Sequence, residues 1–134
     1  MLIVNNLRRQ LIHQSASEPP FYLLLTNYHY DESIKTTIYE FEFAILSEDK
    51  NYLKTFHMSY RFSELYNLYE YLNQKYNTSQ YNLTFPRKKW FFSNSVKTQK
   101  ERAEQLNEYF SKVPRCIENL IDDAYFVSRW ICNA

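Results

Sequence analysis

Not one glycine occurs in the 134 residues, and that absence removes several architectures at once. The dinucleotide fingerprint of a Rossmann unit, the phosphate-cradling P-loop and the nucleophile elbow each need glycine where the backbone turns sharply or approaches a phosphate. None of them can be built from this chain. The remaining enzyme constellations are missing as well. His13, His29 and His57 stand at no metal-ligand spacing from another His or Cys. No Ser or Cys has a recognisable nucleophile context. The pair Asp122-Asp123 falls where a helix should begin, and capping is the simpler use for it. The expectation is a non-enzymatic chain with no metal and no cofactor.

Length supports one domain and no second, and a hydrophobic share of 45% is enough for a real core. The net charge of +1 lacks the basic excess of a nucleic-acid binder, so no nucleic-acid partner is expected. Basic charge is dense in one place only, where Arg87, Lys88, Lys89, Lys97, Lys100 and Arg102 follow closely. Such a run is usually a solvated face unless geometry gives it a purpose. Two cysteines, Cys116 and Cys132, suit a reducing compartment rather than a disulfide scaffold. No apolar run approaches the roughly 18–20 residues that span a bilayer. Near the N-terminus Val4, Leu7, Leu11 and Ile12 recur at helical spacing beside Arg8 and Arg9. Residues 1–18 therefore read as an extension that forms a short amphipathic helix. Packing of that helix on the domain, 19–134, is preferred to membrane binding or targeting.

Three strands should follow Pro19-Pro20. Phe21–Tyr30 is apolar and aromatic throughout, as a buried strand would be. Thr36–Leu46 alternates, with Tyr39, Phe41, Phe43 and Ile45 on one face and Glu40 and Glu42 on the other. Tyr52–Arg61 alternates again, setting Phe56 and Met58 against Thr55, His57 and Ser59. The period then becomes helical. Ser63 can cap a helix carrying Leu65, Leu68, Leu72 and Tyr76. After a loop containing Pro86, Thr98-Gln-Lys-Glu101 has the form of a capping box for a helix with Ala103, Leu106, Phe110 and Val113. Pro114 suits the first turn of a third helix with Ile117, Leu120 and Ile121, and Asp122 or Asp123 caps a last one carrying Val127, Trp130 and Ile131. Segregated strands and helices mean α+β: a three-stranded antiparallel meander packed against a layer of three to four helices.

Three segments complete the reading. Tyr60-Arg61-Phe62-Ser63 closes the third strand. Phe85-Pro86-Arg87-Lys88-Lys89-Trp90-Phe91-Phe92 lies in the loop. Glu101-Arg102-Ala103-Glu104-Gln105-Leu106-Asn107-Glu108-Tyr109-Phe110 lies in the second long helix. Their order and placement resemble the phox-homology (PX) family. There an R-(Y/F)-S motif closes the third strand, a (F/L)-P-x-K motif follows the first helix, and an E-R-x-x-x-L-x-x-Y/F-(F/L) motif forms the next. The resemblance runs from about Phe21 to Ile131. It implies a phosphoinositide headgroup as ligand. Arg61 would hold the 3-phosphate, Phe62 would floor the pocket, Lys88 would meet the 1-phosphate and Arg102 would bond ring hydroxyls. Arginine suits such work because its fork donates two bonds to one phosphate.

Trp90, Phe91 and Phe92 directly follow three cations. Rings beside cations suit the membrane interface, so at least one of them should enter the headgroup layer. The implied partners are the lipid headgroup and the membrane surface, and the implied place is cytoplasmic, peripheral on endosomal or vacuolar-type membranes, with phosphatidylinositol 3-phosphate as the expected lipid. The competing reading is a PX-fold protein-interaction domain with weak or non-selective lipid binding. The chain departs from the family at Tyr60, where a basic residue is common, at Phe62, which lacks the hydroxyl of the commoner Tyr, and in having no P-x-x-P stretch, which argues against an SH3 partner.

Overall fold

The alternation over 36–46 is realised as written. In the computed structural model, which describes residues 20–46, 53–87 and 95–131, the strands are β1 (Phe21–Asp31), β2 (Thr36–Leu46) and β3 (Leu53–Arg61). They form one antiparallel sheet in the order β1-β2-β3. Phe21 pairs with Ile45 and Asp31 with Thr36 across the first ladder, and Ile38 pairs with Arg61 across the second. The register slips between Leu25 and Asn27. At that bulge the Leu25 N–H donates to Asn107 Oδ1 at 2.9 Å, so a helix side chain satisfies a donor the ladder releases.

Three α-helices follow: α1 (Phe62–Tyr76), α2 (Val96–Cys116) and α3 (Ala124–Ser128). One face of the sheet presents Phe21, Leu23, Phe41 and Phe43, all at most 1% exposed, to Leu65, Leu72, Leu106, Phe110 and Trp130. The layer is held largely by aromatic edges. Phe41 meets Phe110 at 5.5 Å and Trp130 at 5.3 Å between ring centroids, both T-shaped, the arrangement the ring quadrupoles favour.

Without glycine the chain must place other residues where φ is positive. Four do so among the described residues: Lys35 (φ 53°), Asn77 (φ 51°), Asn82 (φ 57°) and Asn119 (φ 59°). Asparagine tolerates the left-handed region best after glycine, since its short amide can bond locally. Asn77 ends α1 in this way, its N–H donating to Asn73 O at 2.9 Å.

Several local expectations need correction. Ser63 does not cap α1: Arg61 is the N-cap, and the Glu64 carboxylate accepts from its backbone N–H. α2 begins at Val96 rather than after Thr98, because Ser95 Oγ accepts from the Thr98 N–H at 3.1 Å and captures the start one turn earlier. Pro114 does not open a third helix. It lies in the last turn of α2, where it forfeits one hydrogen bond while the Ile117 N–H still reaches Val113 O at 3.0 Å. Leu120 and Ile121 belong to a 3₁₀ turn, Leu120–Asp122. Of the two candidate caps, Asp123 caps α3, accepting from Phe126 N–H at 3.0 Å.

β1 is buried on both faces only over its first five residues, and His29 and Tyr30 are exposed. Glu42, expected on an open outer face with Glu40, is only 6% exposed and accepts from Tyr22 Oη at 3.0 Å. Alternation assigns a residue to a face; it does not tell whether that face is covered. The helix expected within 1–18, His13, Cys132 and the strand start expected at residue 52 lie outside the described residues.

Candidate functional site

β3 runs into α1 with no intervening loop. Arg61 ends the strand opposite Ile38 and caps the helix in extended conformation, φ −82° and ψ 160°. Its backbone N–H and its Nε both donate to Glu64 Oε1, at 2.9 and 3.4 Å. The two side chains are 55% and 45% exposed, so this ion pair adds at most about 1 kcal/mol of stability and can be exchanged for another anion. Phe62, the next residue, is half-buried and turns to meet α2.

There Arg102 stacks on it, with the guanidinium carbon 4.0 Å from the Phe62 ring centroid. Arg102 precedes core residues Ala103 and Leu106, so its stem is carried inward and only 8% of the residue is exposed. Its Nε is buried and makes no close hydrogen bond among the described residues, and neither does the buried Tyr39 hydroxyl beside it. Burial pushes the Tyr39 phenol above its ordinary pKa, and the adjacent Arg102, by its charge and then by a long side-chain hydrogen bond, acts in the opposite direction. An unmatched donor on a buried cation is costly. Such a group calls for an explanation, and an acceptor delivered by a ligand is one.

A cleft of about 190 Å³ opens against this guanidinium, lined by Thr84, Phe85, Pro86, Arg87, Glu101, Arg102 and Gln105. One wall is a loop that aromatic packing holds in place. Phe85 is 9% exposed, stacks on Tyr69 at 4.4 Å and meets Tyr109 edge-on at 5.2 Å. With Phe85 and Pro86 anchored, Arg87 emerges exposed at the rim. The opposite wall is the second and third turns of α2, where Glu101 Oε1 lies 3.9 Å from Lys97 Nζ.

Of the residues singled out in the sequence, the structure brings Phe62 and Arg102 into contact and places Arg61 on the strand end beside them. Neither Arg61 nor Phe62 is in the cleft lining, which of the predicted residues takes in Arg102; Arg61 faces Glu64. Lys88, Trp90, Phe91 and Phe92 lie outside the described residues. Sequence reasoning passed over Arg87 as part of a basic run, and missed Thr84, Glu101 and Gln105 as lining. Gln105 was legible: it sits one turn after Arg102 on the same helix face.

A second polar cluster joins α1 to α3. The Asp123 carboxylate accepts from Tyr71 Oη at 2.8 Å, Lys75 Nζ at 3.1 Å, Phe126 N–H at 3.0 Å and, at short range, Tyr76 Oη. Burial pushes its pKa up, but the hydrogen bonds from Tyr76, Phe126, Tyr71 and Lys75 outweigh burial and hold it at about 2. Burial, then the bond to Asp123, pushes the Tyr76 phenol up to about 12. Every donor converges on one carboxylate, which is the arrangement of a structural tie. Among the described residues no group of His, Cys, Asp and Glu could hold a metal ion, and no helix is long and apolar enough to cross a membrane.

No curated protein matches the chain. Among solved structures, one described as "X-ray structure of a designed CISK-PX domain" superposes with a TM-score of 0.61 at 19% identity, covering 82% of this chain and 98% of that one. At that identity the likeness is one of fold. Residues 49–119 match the family model described as PX domain, a stretch that runs from before β3 to beyond α2 and takes in both walls of the cleft. On that match, with the fold in agreement, the chain belongs to the PX domain family.

Proposed function

We propose that this PX domain recruits its bearer to endosomal or vacuolar-type membranes by binding phosphatidylinositol 3-phosphate. The family supplies the coarse reading, a generally non-enzymatic phosphoinositide-binding module. The observation that carries the reading to these residues is Arg102, whose guanidinium stacks on Phe62 and which lines the cleft. In this reading Arg61 exchanges Glu64 for the 3-phosphate, Phe62 floors the inositol ring, Arg102 bonds ring hydroxyls, and Lys88 meets the 1-phosphate. Trp90, Phe91 and Phe92 follow Lys88 in the chain and enter the headgroup layer, each inserted ring adding on the order of 1–3 kcal/mol.

Headgroup choice follows from charge. Glu101 lines the same cleft as Arg102. A further phosphate on the hydroxyl side of the ring therefore approaches a carboxylate as well as a guanidinium, and like charges penalise it. The 3-phosphate lipid should outcompete the 4-phosphate, the 5-phosphate and the 4,5-bisphosphate.

One observation favours the rival, a PX-fold protein-interaction domain with weak or non-selective lipid binding: Arg61 is engaged by Glu64 and stands outside the cleft lining. Vesicle flotation against a panel of phosphoinositides separates the two. The proposal expects retention on 3-phosphate vesicles and a loss of roughly 2–4 kcal/mol for Arg61→Ala, about 30-fold or more in affinity. Equal binding to every vesicle, or unchanged binding by folded Arg61→Ala, overturns it.

A further inference from the structure

On the helix-facing side of the sheet, Tyr39 stands in the middle of a row of three tyrosines, paired with Tyr28 on β1 and with Tyr60 on β3. Its ring stacks on Tyr28 at 6.3 Å between centroids, and the residue is 1% exposed. The next two positions on the same strand face are Phe41 and Phe43, both in the core. Packing alone would be served by a third phenylalanine at 39. Tyrosine adds a buried hydroxyl, and a hydroxyl out of water costs stability unless something bonds it. The charged group beside it is the guanidinium of Arg102, itself a buried residue. The two are chemically matched, since a phenol oxygen can accept and a guanidinium only donates. Yet Tyr39 Oη and Arg102 Nε make no close hydrogen bond among the described residues.

We propose that Tyr39 is a positioning residue for headgroup binding: its hydroxyl accepts from the Arg102 guanidinium and holds it against Phe62, and this contact tightens when a ligand is seated. The inference rests on the headgroup reading of the cleft. Phe62 lies against the flat face of the guanidinium, 4.0 Å from its central carbon. A ring so placed fixes the plane of the guanidinium but not its rotation within that plane. An acceptor in the plane fixes the rotation, because every guanidinium N–H lies there. The end of the fork away from Tyr39 is then left for the ring hydroxyls. Tyr39 is suited to be the fixed partner: the ladders hold its backbone on both sides and Tyr28 holds its ring, whereas an arginine stem is long and rotamer-rich. Tyr39 is not in the cleft lining, so it acts through Arg102.

Titration of the full chain with dibutanoyl phosphatidylinositol 3-phosphate, a soluble lipid that reads the pocket without a bilayer, tests this. Tyr39→Phe keeps the ring, so the melting temperature should stay or rise slightly, while affinity falls about fivefold. In an Arg102→Met background the same substitution should cost no further affinity, since no guanidinium is left to position. The Arg102 Nε–H resonance should become protected from solvent exchange when the lipid binds the wild type, and should lose that protection in Tyr39→Phe. A loss of affinity that recurs in the Arg102→Met background, or that comes with a lowered melting temperature, would make Tyr39 a packing residue and overturn the inference. Unchanged affinity in Tyr39→Phe beside a clear loss in Arg102→Met overturns it as well, and leaves the headgroup reading standing. A wild-type chain that does not bind the lipid overturns the headgroup reading and the role of Tyr39 with it. Should Tyr39→Phe fail to fold, the wild type still decides: an Nε–H that gains no protection on binding overturns the inference.

Discussion

Among the described residues two clusters set tyrosine beside a charged group, and they are resolved in opposite ways. At the α1–α3 junction Asp123 collects Tyr71, Tyr76, Lys75 and the Phe126 N–H, so each of those donors has its acceptor. At the cleft, Arg102 stacks on Phe62 beside Tyr39, and Arg102 Nε and Tyr39 Oη make no close hydrogen bond among the described residues. A satisfied network strengthens the fold. An unsatisfied one costs stability and makes sense where something is to be bound. The contrast sets a tie against the proposed site.

Removing the tie should give the largest stability effect. Asp123→Ala deletes the cap of α3 and leaves Tyr71 and Tyr76 without their acceptor, at a cost of roughly 3 kcal/mol. Thermal unfolding should show a drop on the order of 10 °C, while vesicle binding by the folded fraction stays as it was. A small shift in melting temperature, or a selective loss of lipid binding, would merge the two clusters into one function and break the comparison.

At the cleft the expected signs reverse. Arg102→Met keeps an unbranched stem against Phe62 and removes a buried charge with an unmatched donor. Stability should hold or rise by up to about 1 kcal/mol, and affinity for 3-phosphate vesicles should fall by roughly tenfold or more. Chemical denaturation measured beside flotation checks both signs. A strongly destabilised Arg102→Met would mean that the guanidinium is itself a structural tie.

How far the sequence disclosed this contrast can be read residue by residue. β2 was legible to its ends, because strict alternation lay between two polar turns. The position of Arg102 was legible from the helical motif, but its stacking on Phe62 joins residues forty apart in the chain and leaves no local trace. Asp123 was legible as a cap. Its partners were not named, although Tyr71 and Lys75 fall on one face of α1, a spacing that could have suggested a shared acceptor; Tyr76, about 140° round the helix from Tyr71, left no such trace. Ser95 was missed because Thr98 and Glu101 also satisfy a capping pattern, and only the backbone decides between two starts one turn apart. Glu42 was misread because alternation does not report what lies over a face.

Acid gives a smaller test of the same contrast. Asp123 titrates at about 2 in the folded protein against an ordinary 3.8. A depressed carboxylate contributes stability that is fully present above its unfolded pKa and is lost as pH falls toward the folded one. The wild-type protein should therefore lose an increment of stability between about pH 4 and pH 2 that Asp123→Asn, which has no charge to titrate, does not lose. Equal acid sensitivity in the two proteins would mean that Asp123 is not held as a carboxylate by its donors.

The smallest effect belongs to Glu64, the residue that stands between the two kinds of cluster. It acts in the fold by accepting from the Arg61 N–H at the start of α1, and it competes with any phosphate for the Arg61 side chain. Glu64→Gln keeps an acceptor for the backbone while removing the charge, so the melting temperature should barely move. Arg61 would then be released from a carboxylate held at 3.4 Å, and affinity for 3-phosphate vesicles should rise about twofold at low salt. The gain should vanish at high salt, since the pair is exposed and screened. Titration of vesicles at two ionic strengths decides the matter. A fall in affinity would instead mean that Glu64 holds the guanidinium in the pose the phosphate needs, and Arg61 would then be a cation positioned by its partner rather than one restrained by it.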